Sequence, residues 1–286
     1  MTLFVDTNQI VWDSFGELEP PQPEWRDQIE YWQDYLEKFF HSNGMTYDPA
    51  DDNIEQWLLA DDRAPFSLMV RELLPRLPED AGLDDTDAVL LAHWLPDLHM
   101  GTSVTNFVMH ELGLKDCFGF AISDRGLSAP FFAFDTLYKS LRAQKRKGLL
   151  VIADQKHLLY KSDMVSKLNP RNAATVVRMD LDNTNGFAYC GYQRVARQDV
   201  DTARAAIDTA IAGFALPTEN VSLIGPKSLL DAAEVAPAAR IDTEESLICS
   251  APFAAFAEVS DMSRDYVLLC EDERHITALG LKGRRS

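Results

Sequence analysis

The sequence predicts an α/β fold with a parallel or mixed sheet, built from two halves of similar pattern. Continuous apolar runs of strand length, such as Ala88–Trp94 and Leu149–Ala153, are typical of buried parallel strands. Between them lie longer segments with the apolar spacing of helices, such as Thr102–Leu112 and Ser128–Leu141. A comparable order of elements follows after position 182. This alternation favours an internally duplicated fold, with helices covering both faces of the sheets.

The individual elements are predicted from the same periodicities and from their end signals. Pro78 ends one helix, Gly113 is a C-cap for another, and Pro226 can begin a third in its first turn. The predicted helices span Glu24–Phe40, Ile54–Leu59, Phe66–Leu77, Thr102–Leu112, Ser128–Leu141, Val200–Phe214, Lys227–Val235 and Pro252–Val259. The predicted strands span Ala88–Trp94, Cys117–Ile122, Leu149–Ala153, Ala173–Leu181, Phe187–Val195, Val221–Ile224, Leu247–Ser250, Tyr266–Cys270 and His275–Leu281, the last two as a closing hairpin.

Three regions are predicted along the 286 residues. Residues 1–62 form a divergent, acidic and aromatic helical segment packed on the core. Residues 63–182 form the first α/β half, and residues 183–286 form the second.

Composition narrows the possible partners and the cellular location. The formal net charge of −18 repels nucleic acid phosphates and anionic membranes, so we expect neither as a partner. There is no signal-peptide pattern and no apolar run near the roughly 20 residues of a membrane span, which predicts a cytoplasmic protein. The four cysteines are scattered without CxxC spacing, so we expect reduced thiols and no metal site.

The segment Gly119–Phe134 predicts a strand, a tight polar turn and a helix. Many α/β enzymes place a nucleophile in such a turn, where the N–H groups and dipole of the helix stabilise an anion. No cysteine lies in this turn. Ser123 or Ser128 could accept an acyl group, but capping of the helix is favoured because no histidine has an obvious supporting position.

Five segments together resemble the thiolase fold, and within it ketosynthases of the β-ketoacyl-ACP synthase III type. They are AVLLAHWLPDLHMGTSVTNFVMHELGL, CFGFAISDRGLSAPFFAFDTL, GLLVIAD, PRNAATVVRMDL and DYVLLCEDERHITALGLKG, in that order. The similarity covers roughly Ala64 to Lys282. It implies an internally duplicated αβαβα sandwich with mixed sheets.

The resemblance also implies which positions would carry chemistry, and this sequence departs from the family at each of them. The cysteine nucleophile of the family falls on Gly126. The histidine of its "Pro-His-Gln" turn falls at Gly225, and its "Gly-Asn" pair falls on Cys249 and Ser250. The glycine-rich oxyanion turn is replaced by residues 271–274. We therefore assign no catalytic residue with the family's chemistry.

Two groups of residues remain candidates for function. Ser123, Ser128 and Cys249 could be replacement nucleophiles, and His275 is the one histidine near the expected oxyanion turn, although structural roles are favoured for all four. A basic run could dock an acidic carrier protein, or could simply complement a helix C-terminus. It consists of Arg142, Lys145, Arg146 and Lys147.

The leading hypothesis is a catalytically degenerate ketosynthase-like subunit in acyl-thioester biosynthesis, without independent activity. By the resemblance it would pair with an active ketosynthase or with itself, and it could contact an acyl carrier protein. We expect no cofactor, although an acyl-CoA or a phosphopantetheine-linked acyl group could be a substrate. One alternative is an acyltransferase or hydrolase with a replacement Ser or Cys nucleophile. Another is a homodimer that binds an acyl ligand without reacting.

Overall fold

The computed structural model describes residues 2–143, 147–196, 200–233, 237–272 and 274–284. The strands are β1 (Phe4–Val5), β2 (Ile10–Phe15), β3 (Ala88–Ala92), β4 (Phe118–Ile122), β5 (Lys147–Asp154), β6 (Asn172–Asp180), β7 (Phe187–Ala196), β8 (Val221–Gly225), β9 (Ala239–Asp242), β10 (Asp265–Glu271) and β11 (His275–Lys282). The helices are α1 (Ile29–Ser42), α2 (Ile54–Leu59), α3 (Phe66–Leu73), α4 (Val104–Glu111), α5 (Ala129–Ala143), α6 (Asp163–Leu168), α7 (Val200–Ala212), α8 (Lys227–Ala232) and α9 (Ala251–Ala257).

The strands form two mixed sheets of matching topology. One sheet has the order β2-β6-β5-β3-β4, and the other has the order β1-β7-β11-β10-β8-β9. In the first, β5, β3 and β4 are parallel, while β6 is antiparallel to both β5 and β2. In the second, β10, β8 and β9 are parallel, while β11 is antiparallel to both β10 and β7. The five strands β2–β6 therefore correspond in order and direction to β7–β11, which confirms the predicted duplication.

The helices form three layers around these sheets. Helices α5 and α9 lie in the middle and share one apolar core with the inner faces of both sheets. Helices α3 and α4 cover the outer face of the first sheet, and α7 and α8 cover the outer face of the second. The result is the predicted αβαβα sandwich, in which the parallel strands are apolar throughout because both of their faces are covered.

Residues 2–62 contain helices and also supply the first strand of each sheet. β1 pairs with β7, and β2 pairs with β6 along its whole length. Helices α1 and α2 pack on each other through a cluster of aromatic side chains. These strands were not predicted, because β1 is two residues long and β2 carries polar residues within its apolar pattern.

One predicted strand is wrong, and two further elements were not predicted. Residues Glu245–Ser250 form a 3-10 turn rather than the predicted strand Leu247–Ser250, since they run directly into α9. Strand β9 has an alternating, half-exposed pattern, and α6 buries only Val165, whereas the equally short α2 buries three apolar side chains. Short elements of this kind leave too few residues for a clear periodicity.

No helix in the described part of the chain is long and apolar enough to cross a membrane.

Candidate functional site

Two tight turns meet in the middle layer of the molecule, where the turn that follows β4 faces the turn that follows β9. Gly126 begins the first turn with φ of +55°, and Ile248 holds φ of +51° in the second. Each of these residues lies three positions before the first residue of its helix, α5 or α9. The Sγ atom of Cys249 lies 3.8 Å from the carbonyl oxygen of Gly126. The two turns are therefore structural equivalents in direct contact.

The two turns also share sequence. Residues 127–134 read LSAPFFAF and residues 249–256 read CSAPFAAF, so they agree at six of eight positions. The sequence prediction rests on a repeat of pattern alone and does not use this identity. A direct alignment of the two halves would have found it. It would also have paired Gly126 with Ile248.

A buried carboxyl group joins the second turn to the segment that follows β3. Asp154 ends β5 and is fully buried. Its Oδ1 accepts hydrogen bonds of 2.8 Å from the backbone N–H groups of Trp94 and Leu95. Its Oδ2 accepts a longer bond of 3.4 Å from the N–H of Cys249. Burial raises the pKa of Asp154, because water no longer stabilises its charged form.

Cys249 has the properties of a structural thiol. Its side chain is fully buried, and burial raises its pKa well above the usual range. The neighbouring carboxyl group of Asp154 raises the pKa further, because a thiolate would lie beside another anion. A thiol must ionise to act as a nucleophile. The environment of Cys249 opposes that ionisation, although the residue lies at the centre of the site.

The comparisons with known proteins agree with this architecture. No protein-family model matches the chain, and no curated protein matches its sequence. Among solved structures, a β-ketoacyl-[acyl carrier protein] synthase III from Thermus thermophilus is similar with a TM-score of 0.58 and 17% identity, over 80% of this chain and 87% of that one. This chain has the thiolase fold.

Two further thiolase-fold structures match almost end to end. The tetronic acid condensing enzyme AbyA1 has a TM-score of 0.67 at 10% identity, over 99% of this chain and 100% of its own. OleA from Xanthomonas campestris, solved with lauric acid and lauroyl-CoA, has a TM-score of 0.65 at 10% identity, over 99% of both chains. At these identities the similarity shows the fold alone.

The serine candidates occupy different environments within this thiolase fold. The Ser128 hydroxyl is buried and donates a hydrogen bond of 2.8 Å to the carbonyl oxygen of Arg125. Ser123 lies exposed at the end of β4. Ser250 is fully buried, and its Oγ has no hydrogen-bond partner among the described residues. Among the residues that the structure describes, no histidine is hydrogen-bonded to any of these hydroxyls.

The remaining two candidate positions have structural contacts. Gly225 ends β8, and a Cβ atom there would lie 3.0 Å from the Cβ atom of Leu269 on β10, so the strand packing leaves little room for a side chain. His275 begins β11, with its Nδ1 lying 3.3 Å from an Asp272 carboxylate oxygen and 3.0 Å from Arg194 Nη2. His275 therefore belongs to a polar cluster that fixes the β10–β11 hairpin.

The basic run is only partly described. Arg142 is exposed near the end of α5, with its guanidinium 5.6 Å from the ring centroid of Tyr138. The ammonium group of Lys147 pairs with Asp85 and lies 3.9 Å from Asp180. Lys145 and Arg146 lie outside the described residues. Lys147 thus has a structural partner, which leaves Arg142 as the described candidate for carrier-protein docking.

Two cavities are lined by residues outside the two turns. The larger, of about 450 Å³, lies beside β4 and the start of α4. The smaller, of about 390 Å³, lies between the end of β2 and the start of β6. Within the described ranges, no group of three or more His, Cys, Asp or Glu side chains is arranged to hold a metal ion.

Proposed function

We propose that this chain is a thiolase-fold subunit of acyl-thioester biosynthesis that has no condensing activity of its own. Its role is to pair with an active ketosynthase and shape that partner's site. The observation that carries the proposal is the chemistry of the facing turns. The expected nucleophile position is a glycine, and the nearest thiol is fully buried with a raised pKa.

The site also lacks the hydrogen-bond donors that the family resemblance implies opposite the nucleophile. The structural counterpart of Gly126 is Ile248, a buried apolar residue. The end of β8 carries Gly225 and Pro226, neither of which has a polar side chain. Condensation needs donors directed at the developing negative charge. The replacement-nucleophile alternative is less favoured, because Cys249 is inaccessible and the Ser128 hydroxyl already has a carbonyl partner.

The exposed edge of β4 supports the proposed pairing. Within the described chain β4 pairs only with β3, so its outer edge presents free backbone N–H and C=O groups. Phe118 on this strand is 53% exposed and packs on Phe120 with the two rings tilted, with 5.4 Å between ring centroids. An exposed apolar edge strand is a ready site for adding a strand from another subunit. A second thiolase-fold chain offers such a strand.

The catalytic part of the proposal is tested by intact-protein mass spectrometry. The protein is incubated with acetyl-, hexanoyl- and lauroyl-CoA, and we expect no covalent adduct. Gly126→Cys restores a thiol at the helix start, where a Cβ atom meets no other atom within 4 Å. We expect this variant to acquire one acyl group, with Gly126→Ala as the control for backbone strain. A stoichiometric acyl adduct on the unaltered chain would contradict the proposal, and the modified residue would be the replacement nucleophile.

The pairing part is tested by native mass spectrometry of the protein alone and with ketosynthases encoded in the same genome. We expect a 1:1 complex with one ketosynthase, lost in Phe118→Asp and retained in Met164→Asp, which alters an equally exposed residue on α6. A stable homodimer that forms no complex with any of the ketosynthases would contradict the proposed pairing and favour the acyl-binding homodimer.

A further inference from the structure

The smaller cavity is lined by two cationic side chains and by no carboxylate. It lies between the end of β2 and the start of β6, and its volume of about 390 Å³ is within the ordinary range for small-molecule sites. Its charged lining residues are Lys156 and Arg171, and no Asp or Glu is among the others. The chain as a whole has 45 acidic residues against 27 Lys and Arg, so its composition does not explain such a lining.

The cavity lies at the edge of the first sheet where ligands are expected. Lys156 follows β5 by two residues, and the Gly126 turn follows β4, which runs in the same direction as β5. In open α/β sheets, ligands bind outside the carboxyl ends of the parallel strands. The cavity and the Gly126 turn are therefore at the same edge, although they share no lining residue.

Backbone hydrogen bonds fix the two cationic residues at this cavity. The N–H of Lys156 donates a bond of 3.0 Å to Oδ1 of Asn172, a buried residue that directly follows Arg171. The N–H of Arg171 donates a bond of 2.9 Å to the carbonyl oxygen of Ser246, in the segment before the second turn. Both side chains therefore extend from backbone that tertiary contacts hold in place.

Both cationic groups are accessible and keep donors for a further acceptor. The side chain of Arg171 is 48% exposed, and that of Lys156 is 35% exposed. Arg171 donates from Nη1 to Glu244 at 2.7 Å and from Nη2 to the Ser14 hydroxyl, while the ammonium group of Lys156 pairs with Asp62. A guanidinium and an ammonium group each carry more N–H groups than these contacts use.

The two partner carboxylates leave room for a competing anion. Glu244 and Asp62 lie outside the cavity lining, and their side chains are 53% and 34% exposed. Ion pairs at such exposure contribute little to stability. Asp62 also keeps a second partner, because His157 Nε2 lies 2.6 Å from its Oδ1. An anion in the cavity can therefore bind both cations at little cost to the fold.

We propose that this cavity binds a small organic phosphate monoester. The phosphate group accepts hydrogen bonds from the side chains of Arg171 and Lys156, and the organic part occupies the rest of the cavity. Arginine and lysine both suit phosphate oxygens, and a phosphate monoester is a dianion above its second pKa of about 6, so its charge matches two cations. This site is separate from the facing turns, and its occupancy does not depend on whether the chain has condensing activity.

The test uses phenyl phosphate as the probe and phenyl sulfate as a molecule of matched shape with one negative charge less. Isothermal titration calorimetry of the full chain at neutral pH measures the binding of each. We expect phenyl phosphate to bind with a dissociation constant on the order of 1 mM, as is usual for so small a ligand. We expect phenyl sulfate to bind at least about tenfold more weakly, because it cannot balance both cations.

Arg171→Gln and Lys156→Gln each remove one charge from the cavity wall. We expect each variant to bind phenyl phosphate at least about tenfold more weakly. Lys227→Gln is the control, because it removes an exposed lysine of α8 that is likewise paired with a carboxylate. An equal loss in the control would mean attraction by overall charge alone and would overturn the proposal.

Three further outcomes would each overturn it. They are unchanged binding in either cavity variant, equal binding of phosphate and sulfate, and no saturable binding at 20 mM phenyl phosphate (about twenty times a 1 mM constant). The two probes decide the proposal on the unaltered chain even if a variant does not fold.

Discussion

The turn at Gly126 and the turn at Ile248 are two copies of one structural device with different residues at their tips. Both precede a middle-layer helix, both hold a positive φ, and both continue into the shared Ser-Ala-Pro-Phe sequence. The first copy uses glycine, which tolerates a positive φ, whereas the second places a β-branched residue there. The helices have thus retained the same packing residues, while the tips that would carry chemistry have diverged.

The connections that follow β3 and β8 differ more strongly. Eleven residues, 93–103, join β3 to α4, whereas Pro226 alone joins β8 to α8. The long connection carries His93, Asp97 and His99, and it forms part of the wall of the larger cavity. The two halves therefore share their layers but differ in this connection, which is long and polar only in the first half.

The largest expected effect tests whether the two helices share one core. Phe131 and Phe253 are equivalent in the repeat, are both buried, and contact each other edge to face with 5.8 Å between ring centroids. We expect Phe131→Ala and Phe253→Ala each to lower the free energy of unfolding by about 3–5 kcal/mol. We expect the double variant to lose less than the sum, because the rings are in contact. Urea denaturation measures all three, and a loss under about 1 kcal/mol at either site would break the equivalence.

A second expected effect concerns the thiol of the second turn. We expect Cys249 in the native protein to react with iodoacetamide on the order of 100-fold more slowly than exposed Cys190, because the reaction requires local opening. Peptide mapping by mass spectrometry gives both rates. Comparable alkylation rates for Cys249 and Cys190 in native buffer would show that the turns open to solvent. Cys249 would then again be a candidate nucleophile.

Substitutions at positions 126 and 248 test how much the positive φ of each turn costs in stability. We expect Gly126→Ala to cost about 1–2 kcal/mol, because the left-handed conformation is unfavourable for a residue with a Cβ atom. Ile248→Gly and Ile248→Ala should both destabilise by removing a buried side chain. The glycine variant should be the more stable of the two by about 1 kcal/mol, the reverse of the usual order. Thermal unfolding of the three variants measures this, and an alanine variant that equals glycine at position 248 would contradict the strain.

The smallest expected effect tests the polar connection of the first half. The hydrogen bond that the His99 ring donates to the Glu19 carboxylate raises the pKa of His99 above its usual value of 6.5. The stabilisation that this hydrogen bond gives to the folded state is therefore complete below pH 6.5. It is lost as the pH rises through the pKa of His99 in the folded protein. We expect Glu19→Gln to lower the pKa of His99 in an NMR titration and to remove this part of the pH dependence. An unchanged pKa would mean that Glu19 does not hold His99.

Much of the fold follows from local pattern in the sequence. Strand β3 reads Ala-Val-Leu-Leu-Ala and is buried throughout, as a central parallel strand must be. Helix α5 has regular apolar spacing after a polar turn, so its existence and approximate bounds are predictable. The elements β1 and β9 escape prediction because they are short and gain their stability from neighbouring strands rather than from their own residues.

Some features of the candidate site follow from the sequence, and others follow only from the tertiary structure. The sequence by itself determines that residue 126 is a glycine and that the eight-residue repeat lies in both halves, since residue identity is independent of packing. Only the tertiary structure decides that Cys249 faces Gly126 and that the buried carboxyl group of Asp154 accepts a hydrogen bond from the backbone of Cys249. These contacts join residues far apart in the chain. Their burial and hydrogen bonding, and the pKa shifts that result, arise only when the layers pack together.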